Sequence, residues 1–189
     1  MDLAPQLPII EQLLPYEQLL EPRTDNQIDL VVIHCTELPD LATARQYGEI
    51  EHYPNGTGNS GHFYIDRDGA VYRYVNPGRI ANHTRGFNPR SIGIEIVNTG
   101  RYPDWFNSQQ QQMLEPYSEA QIDAVIALLI QLKSQYSQLV WISGHEDLDI
   151  AQVPASDNPD TLVYRKRDPG PQFPWSRVLE QTELTYLKP

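Results

Sequence analysis

Apolar residues along the chain cluster in two patterns. Three strand-length runs, bounded by polar or turn residues, predict buried strands over 28–35 (Leu30-Val31-Val32-Ile33), 91–97 (Ser91-Ile92-Gly93-Ile94-Glu95-Ile96-Val97) and 139–143 (Leu139-Val140-Trp141-Ile142). Between the first two, His62-Phe63-Tyr64-Ile65 and Ala70-Val71-Tyr72-Arg73-Tyr74-Val75 flank Asp66-Arg67-Asp68-Gly69, which predicts a hairpin turned at Asp-Gly. The other pattern is helical. Ile122, Val125, Ile126, Leu129 and Leu132 share one face of a helix predicted over Ser118 to Tyr136, opened by a Ser118-Glu119-Ala120-Gln121 capping box. Leu41, Ala44, Tyr47 and Ile50 suggest a helix over 40–53 behind an Asp40 cap, and Pro174 to Leu184 a last one.

The remaining segments read as connections. Residues 54–59, 76–90 and 98–117 are loops, and the Pro-, Asp- and Asn-rich stretch 149–165 is an excursion inserted after the third strand. Residues 1–27, broken by Pro5, Pro8, Pro15 and Pro22, are expected to form an extension, with Ile9-Ile10 and Leu13-Leu14 making one amphipathic turn on the domain. No repeat and no linker divides the chain. The expectation is one α/β domain over 28–180, a central sheet covered by helices, with a tail at 181–189.

Length and charge narrow the function. The 189 residues suffice for one domain with a sizeable core. Fourteen basic against 25 acidic residues give a net charge of −11, which argues against nucleic acid, a partner whose phosphates need Lys and Arg. No apolar stretch approaches the ~20 residues of a membrane span. The proline-broken, acidic start lacks a signal-peptide pattern, so the chain is expected either in the cytoplasm or, if a signal has been removed, in the cell envelope or secreted. A single cysteine, Cys35, allows no internal disulfide.

The chemistry gathers at strand ends. His34 closes the first apolar run, His145 follows the third, and Asp168 stands before the Pro169-Gly170-Pro171 turn. Two imidazoles and one carboxylate leave one position of tetrahedral zinc open, the layout of a catalytic centre, although a lone histidine at a strand end is more often structural. Glu95, between Ile94 and Ile96, is either a general base with a raised pKa or half of an ion pair with an arginine at the sheet edge. Lys166, two residues before Asp168, is either an oxyanion-stabilising ammonium or a solvated member of Arg165-Lys166-Arg167. His83, in a loop after Asn82, either binds substrate or caps a turn. His62 reads as a packed structural histidine, and His52 as a helix-surface one. Cys35 is expected to point away from His34.

Taken together, Val32-Ile33-His34-Cys35-Thr36, Gly61-His62-Phe63-Tyr64-Ile65 with Asp66-Arg67-Asp68-Gly69, His83, Ser91-Ile92-Gly93-Ile94-Glu95, Gly144-His145-Glu146-Asp147 and Lys166-Arg167-Asp168-Pro169-Gly170-Pro171 resemble, in order, the type 2 N-acetylmuramoyl-L-alanine amidases, zinc hydrolases of peptidoglycan. The resemblance implies a mixed sheet flanked by helices, a zinc ion on His34, His145 and Asp168, Glu95 and Lys166 as catalytic residues, and His83, Asn82 and Arg167 toward substrate. It implies a peptidoglycan or muropeptide substrate, cleaved between N-acetylmuramic acid and L-alanine; separately, the chain is expected to be a monomer. Two other readings share the motifs: a non-catalytic peptidoglycan-binding module of this fold, and a zinc hydrolase of another amide. The 149–165 insert lengthens the gap from His145 to Asp168, and an insert that displaced Asp168 would remove the third ligand.

Overall fold

The computed structural model describes residues 7–189; residues 1–6 of the expected extension lie outside the described residues. Seven strands form one mixed sheet, β1 (Ile9–Glu11), β2 (Leu30–Cys35), β3 (Phe63–Ile65), β4 (Val71–Arg73), β5 (Ser91–Ile96), β6 (Trp141–Gly144) and β9 (Thr185–Tyr186), in the order β1-β4-β3-β5-β2-β6-β9. Only the β3–β4 hairpin is antiparallel; β5, β2 and β6 run parallel at the centre. Every residue of β2 is buried, as expected of a parallel strand covered on both faces.

The two faces of β5 and β2 have different tasks, set by alternation. Ile92, Ile94 and Ile96 of β5, with Val31 and Ile33 of β2, face helix α2 (Glu119–Gln135) and join its Ile122, Val125, Leu128, Leu129 and Leu132 in one cluster. Each such side chain contributes at most roughly 1.5–3 kcal/mol on burial. Ser118 caps α2 as the sequence predicts, accepting from the Gln121 amide while Gln121 bonds back. The intervening positions, Gly93 and Glu95 on β5 and His34 on β2, point to the other face.

Several boundaries differ from expectation. Helix α1 (Leu41–Gly48) is capped by Asp40 but stops short of 53, leaving Tyr47 and Ile50 exposed, so their spacing did not mark a buried stripe. His52 consequently lies beyond the helix. The extension is not an amphipathic turn laid on a finished domain. Ile9–Glu11 forms β1 beside β4, and Leu14, Tyr16 and Leu20 are buried against Tyr64, Tyr74 and Val75. The predicted tail supplies β9, which pairs with β6. The 149–165 insert holds a second small sheet, β7 (Gln152–Pro154) against β8 (Leu162–Tyr164). These strands of two or three residues carry too short a period to be read from sequence. Helix α3 (His145–Leu148) follows β6 directly, and α4 (Trp175–Thr182) packs against α2.

Candidate active site

His34 on β2 and Glu95 on β5 are register partners in parallel strands, so both side chains rise from the same face, with His34 Nδ1 3.9 Å from Glu95 Oε1. Among the described residues no arginine pairs with Glu95, which removes the ion-pair reading. His145 opens α3 at the end of β6, the strand on the other side of β2. Asp168 is brought in by the returning chain, whose Asp168 carbonyl accepts from the Glu146 amide at 2.9 Å. The insert therefore leaves Asp168 in place.

Three buried groups converge. Asp168 Oδ2 lies 2.8 Å from His34 Nδ1 and 3.0 Å from His145 Nδ1, and one donor atom from each residue falls within 4.8 Å of the others. Asp168 Oδ1 and His145 Nε2 have no hydrogen-bond partner among the described residues. Burial, then the neighbouring His145, lowers the His34 pKa to about 4, so the ring is neutral at pH 7. Burial alone would raise the Asp168 carboxyl; the imidazoles of His145 and His34 outweigh it and hold it well below the usual range. A buried carboxylate facing two imidazole nitrogens, with one oxygen unpartnered, is a donor set that fits a divalent cation, and its ligand types suit zinc.

The outer contacts agree. His34 Nε2 lies 3.0 Å from His83 Nδ1, and His83 Nε2 3.2 Å from Ser91 Oγ, whose hydroxyl donates to the Phe87 carbonyl at 2.8 Å. Running the protons outward along this relay leaves His34 Nδ1 free as a ligand. Gly93 makes room for it: a Cβ there would meet His83 Nδ1 at 2.7 Å. His83 thus packs behind His34 as well as lining the cavity. Thr84, which no motif in the chain marks, adds a hydroxyl 2.9 Å from His83 Nδ1.

All of this opens into one cavity of about 620 Å³, lined also by Asn82, Arg85, Arg101, Trp105, Arg165 and Lys166. Burial, then the charge of Asp168, pushes the Glu95 carboxyl well above its usual range, and Lys166 pulls against them. Asn82, which lines the cavity, donates to the Gly58 carbonyl at 3.1 Å. Arg167 is not brought together with these groups; it lines a neighbouring groove with Glu146, Trp175 and Tyr186. His62 is buried as expected, its Nδ1 accepting from the Gly93 amide and its Nε2 meeting the Arg79 carbonyl. Cys35 is buried outside the metal group. Glu37 and Arg101 went unnoticed in the sequence because their partners are distant in the chain.

A mixed α/β sheet holding a buried His-His-Asp group beside a partly buried glutamate defines a class of fold and site found in metal-dependent hydrolases. Residues 24–171 match the profile of the N-acetylmuramoyl-L-alanine amidase family, and the chain belongs to that family. It is 32% identical over 94 residues to the N-acetylmuramoyl-L-alanine amidase AmiD of Escherichia coli, covering 50% of this chain and 28% of AmiD. It is 30% identical over 122 residues to the 1,6-anhydro-N-acetylmuramyl-L-alanine amidase AmpD of Enterobacter cloacae, covering 60% of this chain and 51% of AmpD. The matches thus span about half or less of these relatives' length. Among solved structures, the amidase LysC from Clostridium intestinale shares the fold at a TM-score of 0.66 and 22% identity, over 94% of this chain and 99% of LysC. E. coli AmiD in complex with anhydro-N-acetylmuramic acid-L-Ala-D-gamma-Glu-L-Lys follows at 0.61 and 24%, over 82% and 57%. Among the described residues no helix is long and apolar enough to cross a membrane.

Proposed function

We propose that the chain hydrolyses the amide between N-acetylmuramic acid and L-alanine in peptidoglycan or its muropeptide fragments, with zinc on His34, His145 and Asp168. The observation that carries this reading is the convergence of both Nδ1 atoms on Asp168 Oδ2, with Glu95 across the sheet from His34. Family membership and the muropeptide bound to AmiD in its solved complex supply the substrate class.

Zinc held by such a set supplies a Lewis acid that polarises a carbonyl and lowers the pKa of water. Glu95 accepts the proton of the attacking water as the oxygen–carbon bond forms, and returns it to the alanine nitrogen as the carbon–nitrogen bond breaks. Its raised pKa suits both halves of that transfer. The Lys166 ammonium balances the charge on the carbonyl oxygen. Asn82, Arg85 and Trp105 line the space for sugar and peptide. All the groups come from one chain, so a monomer suffices. Retention of both histidines and the aspartate, with a base beside them, favours catalysis over a binding module.

The test joins metal content to turnover. Purified protein is expected to carry about one zinc per chain and to release free peptide from a defined muramoyl-tripeptide. Chelation should stop release and added zinc restore it. Zinc without cleavage of this bond, but with cleavage of another in an amide panel, would replace the substrate; no cleavage of any would leave a binding module.

A further inference from the structure

The 149–165 hairpin returns the chain to Lys166, and its far end is tied to the 104–108 loop by Ser108 donating to Asp157 and by Ser156 donating to Asp104 and to the Phe106 carbonyl. Its strands are three residues each, and a two-stranded hairpin alone is marginal in water. Its base is closed by the Arg165–Asp149 ion pair and by the Arg165 amide on the Ala151 carbonyl. The Asp149 amide ties the outgoing side of that base to the His145 carbonyl, and the return side, next to Lys166, is held by Arg101. Its Nη1 donates to the Tyr164 carbonyl at 2.9 Å and its Nη2 to the Arg165 carbonyl at 3.3 Å, the two carbonyls before Lys166.

The other edge of the same guanidinium grips Glu37, three residues past His34. Nε donates to Oε1 at 2.7 Å and Nη2 to Oε2 at 2.8 Å, and the Arg101 amide also reaches Oε1 at 3.2 Å. The side chains of Arg101 and Glu37 are 1% and 10% exposed. Glu37 is fixed in turn by Trp105, whose indole N–H donates to its carbonyl at 2.9 Å, and its backbone sits at a φ of 50°. Gly100 passes so close that a Cβ would stand 2.6 Å from Glu37 Cγ. Only a planar fork can hold a carboxylate on one edge and two carbonyls on the other. A closed circuit results, from His34 through Glu37, Arg101 and the hairpin's return to Lys166 and Asp168.

We propose that Arg101, locked by Glu37, is a positioning residue that fixes the strand end carrying Lys166 and so aims its ammonium at the reacting carbonyl. This rests on the role given to Lys166 above. Lysine at 101 keeps a charge for Glu37 but loses the fork.

The experiment is a double-mutant cycle on the full chain with metal bound. In the wild-type background Arg101→Lys should lower kcat on muramoyl-tripeptide about tenfold, with KM and zinc content nearly unchanged. In a Lys166→Ala background the same substitution should change kcat by less than about twofold. Equal losses in both backgrounds, or no loss, would overturn the proposal. Glu37→Gln serves as the second variant should Arg101→Lys fail to fold. Trypsin gives a readout independent of turnover, since it cuts after Arg165, Lys166 and Arg167. These bonds should open several-fold faster in Arg101→Lys, with cleavage elsewhere unchanged. An unchanged rate would overturn the clamp whatever the activity. An inactive wild type with a faster-cut variant would instead overturn the amidase reading and leave the clamp standing.

Discussion

A Cβ on Gly61 would stand 2.8 Å from Cγ of Glu95, and 3.2 Å from the Gly93 carbonyl oxygen. The Glu95 side-chain stem that carries the carboxylate therefore occupies space that any larger residue at 61 would claim. Gly61→Ala is expected to keep its zinc and to lose on the order of a hundredfold in kcat, because a general base displaced by about an ångström no longer meets its proton. Activity within about twofold of wild type, read with zinc content on one sample, would remove Glu95 from the role assigned to it.

Metal binding should be visible in the melt as well as in the rate. At a hundredfold excess of free zinc over its dissociation constant, a ligand that binds only the native state adds about 2.7 kcal/mol. For a chain of this size that is a rise in Tm of roughly 5–10 °C. Asp168→Ala removes the oxygen on which both histidines converge and should abolish the rise. An equal rise in that variant would place the metal elsewhere.

The parts of the molecule readable from sequence were those with a long period or a local partner. Ser91 to Ile96 announces a buried strand, and Ser118 to Gln121 announces its helix, because each signal lies within a few residues. His34, Glu95 and His145 are legible as candidate site residues for a related reason: each ends or interrupts an apolar run. Their mutual placement followed from the family resemblance and not from spacing. Strands β1 and β9 were missed because two or three residues cannot display alternation; they exist only as added edges of a sheet already formed. Arg101 reads as one more charge in a polar loop until Glu37 and the Tyr164 carbonyl are seen beside it. Arg167 illustrates the converse: it lines the neighbouring groove and not the main cavity, whereas the adjacent Lys166 borders both.

His62 gives the fold a pH dependence of known sign. Burial, then the Arg23 guanidinium, lowers its pKa well below the ordinary histidine value, while the Arg79 carbonyl pulls weakly the other way. The native ring stays neutral, but in the unfolded chain it takes up a proton below about pH 6.5. The unfolded state then binds more protons, so stability falls as pH drops below that value, by up to about 1.4 kcal/mol per pH unit. Urea melts from about pH 6 to about pH 5, with chelator present to hold the metal state constant, should show a shallower slope in His62→Gln. An unchanged slope would assign the titration to other groups.

The last prediction concerns the first 27 residues. Leu14, Tyr16 and Leu20 are 3%, 4% and 4% exposed, packed on the face that also carries Tyr64 and Tyr74. Arg23 is buried as well, donating from Nε to the Pro77 carbonyl at 2.7 Å and from Nη1 to the Ser91 carbonyl at 2.8 Å. At roughly 1.5–3 kcal/mol for each apolar side chain, the three alone carry stability comparable with the 5–15 kcal/mol of a whole domain. Removal of residues 1–27 should abolish the cooperative melt, with loss of near-ultraviolet circular dichroism. A 28–189 chain that melted cooperatively near the full-length temperature would return the extension to the status of an appendage. The sheet face under Tyr64 would then need another source of cover, because the buried rings of Tyr64 and Tyr74 stack with centroids 4.2 Å apart directly under this segment.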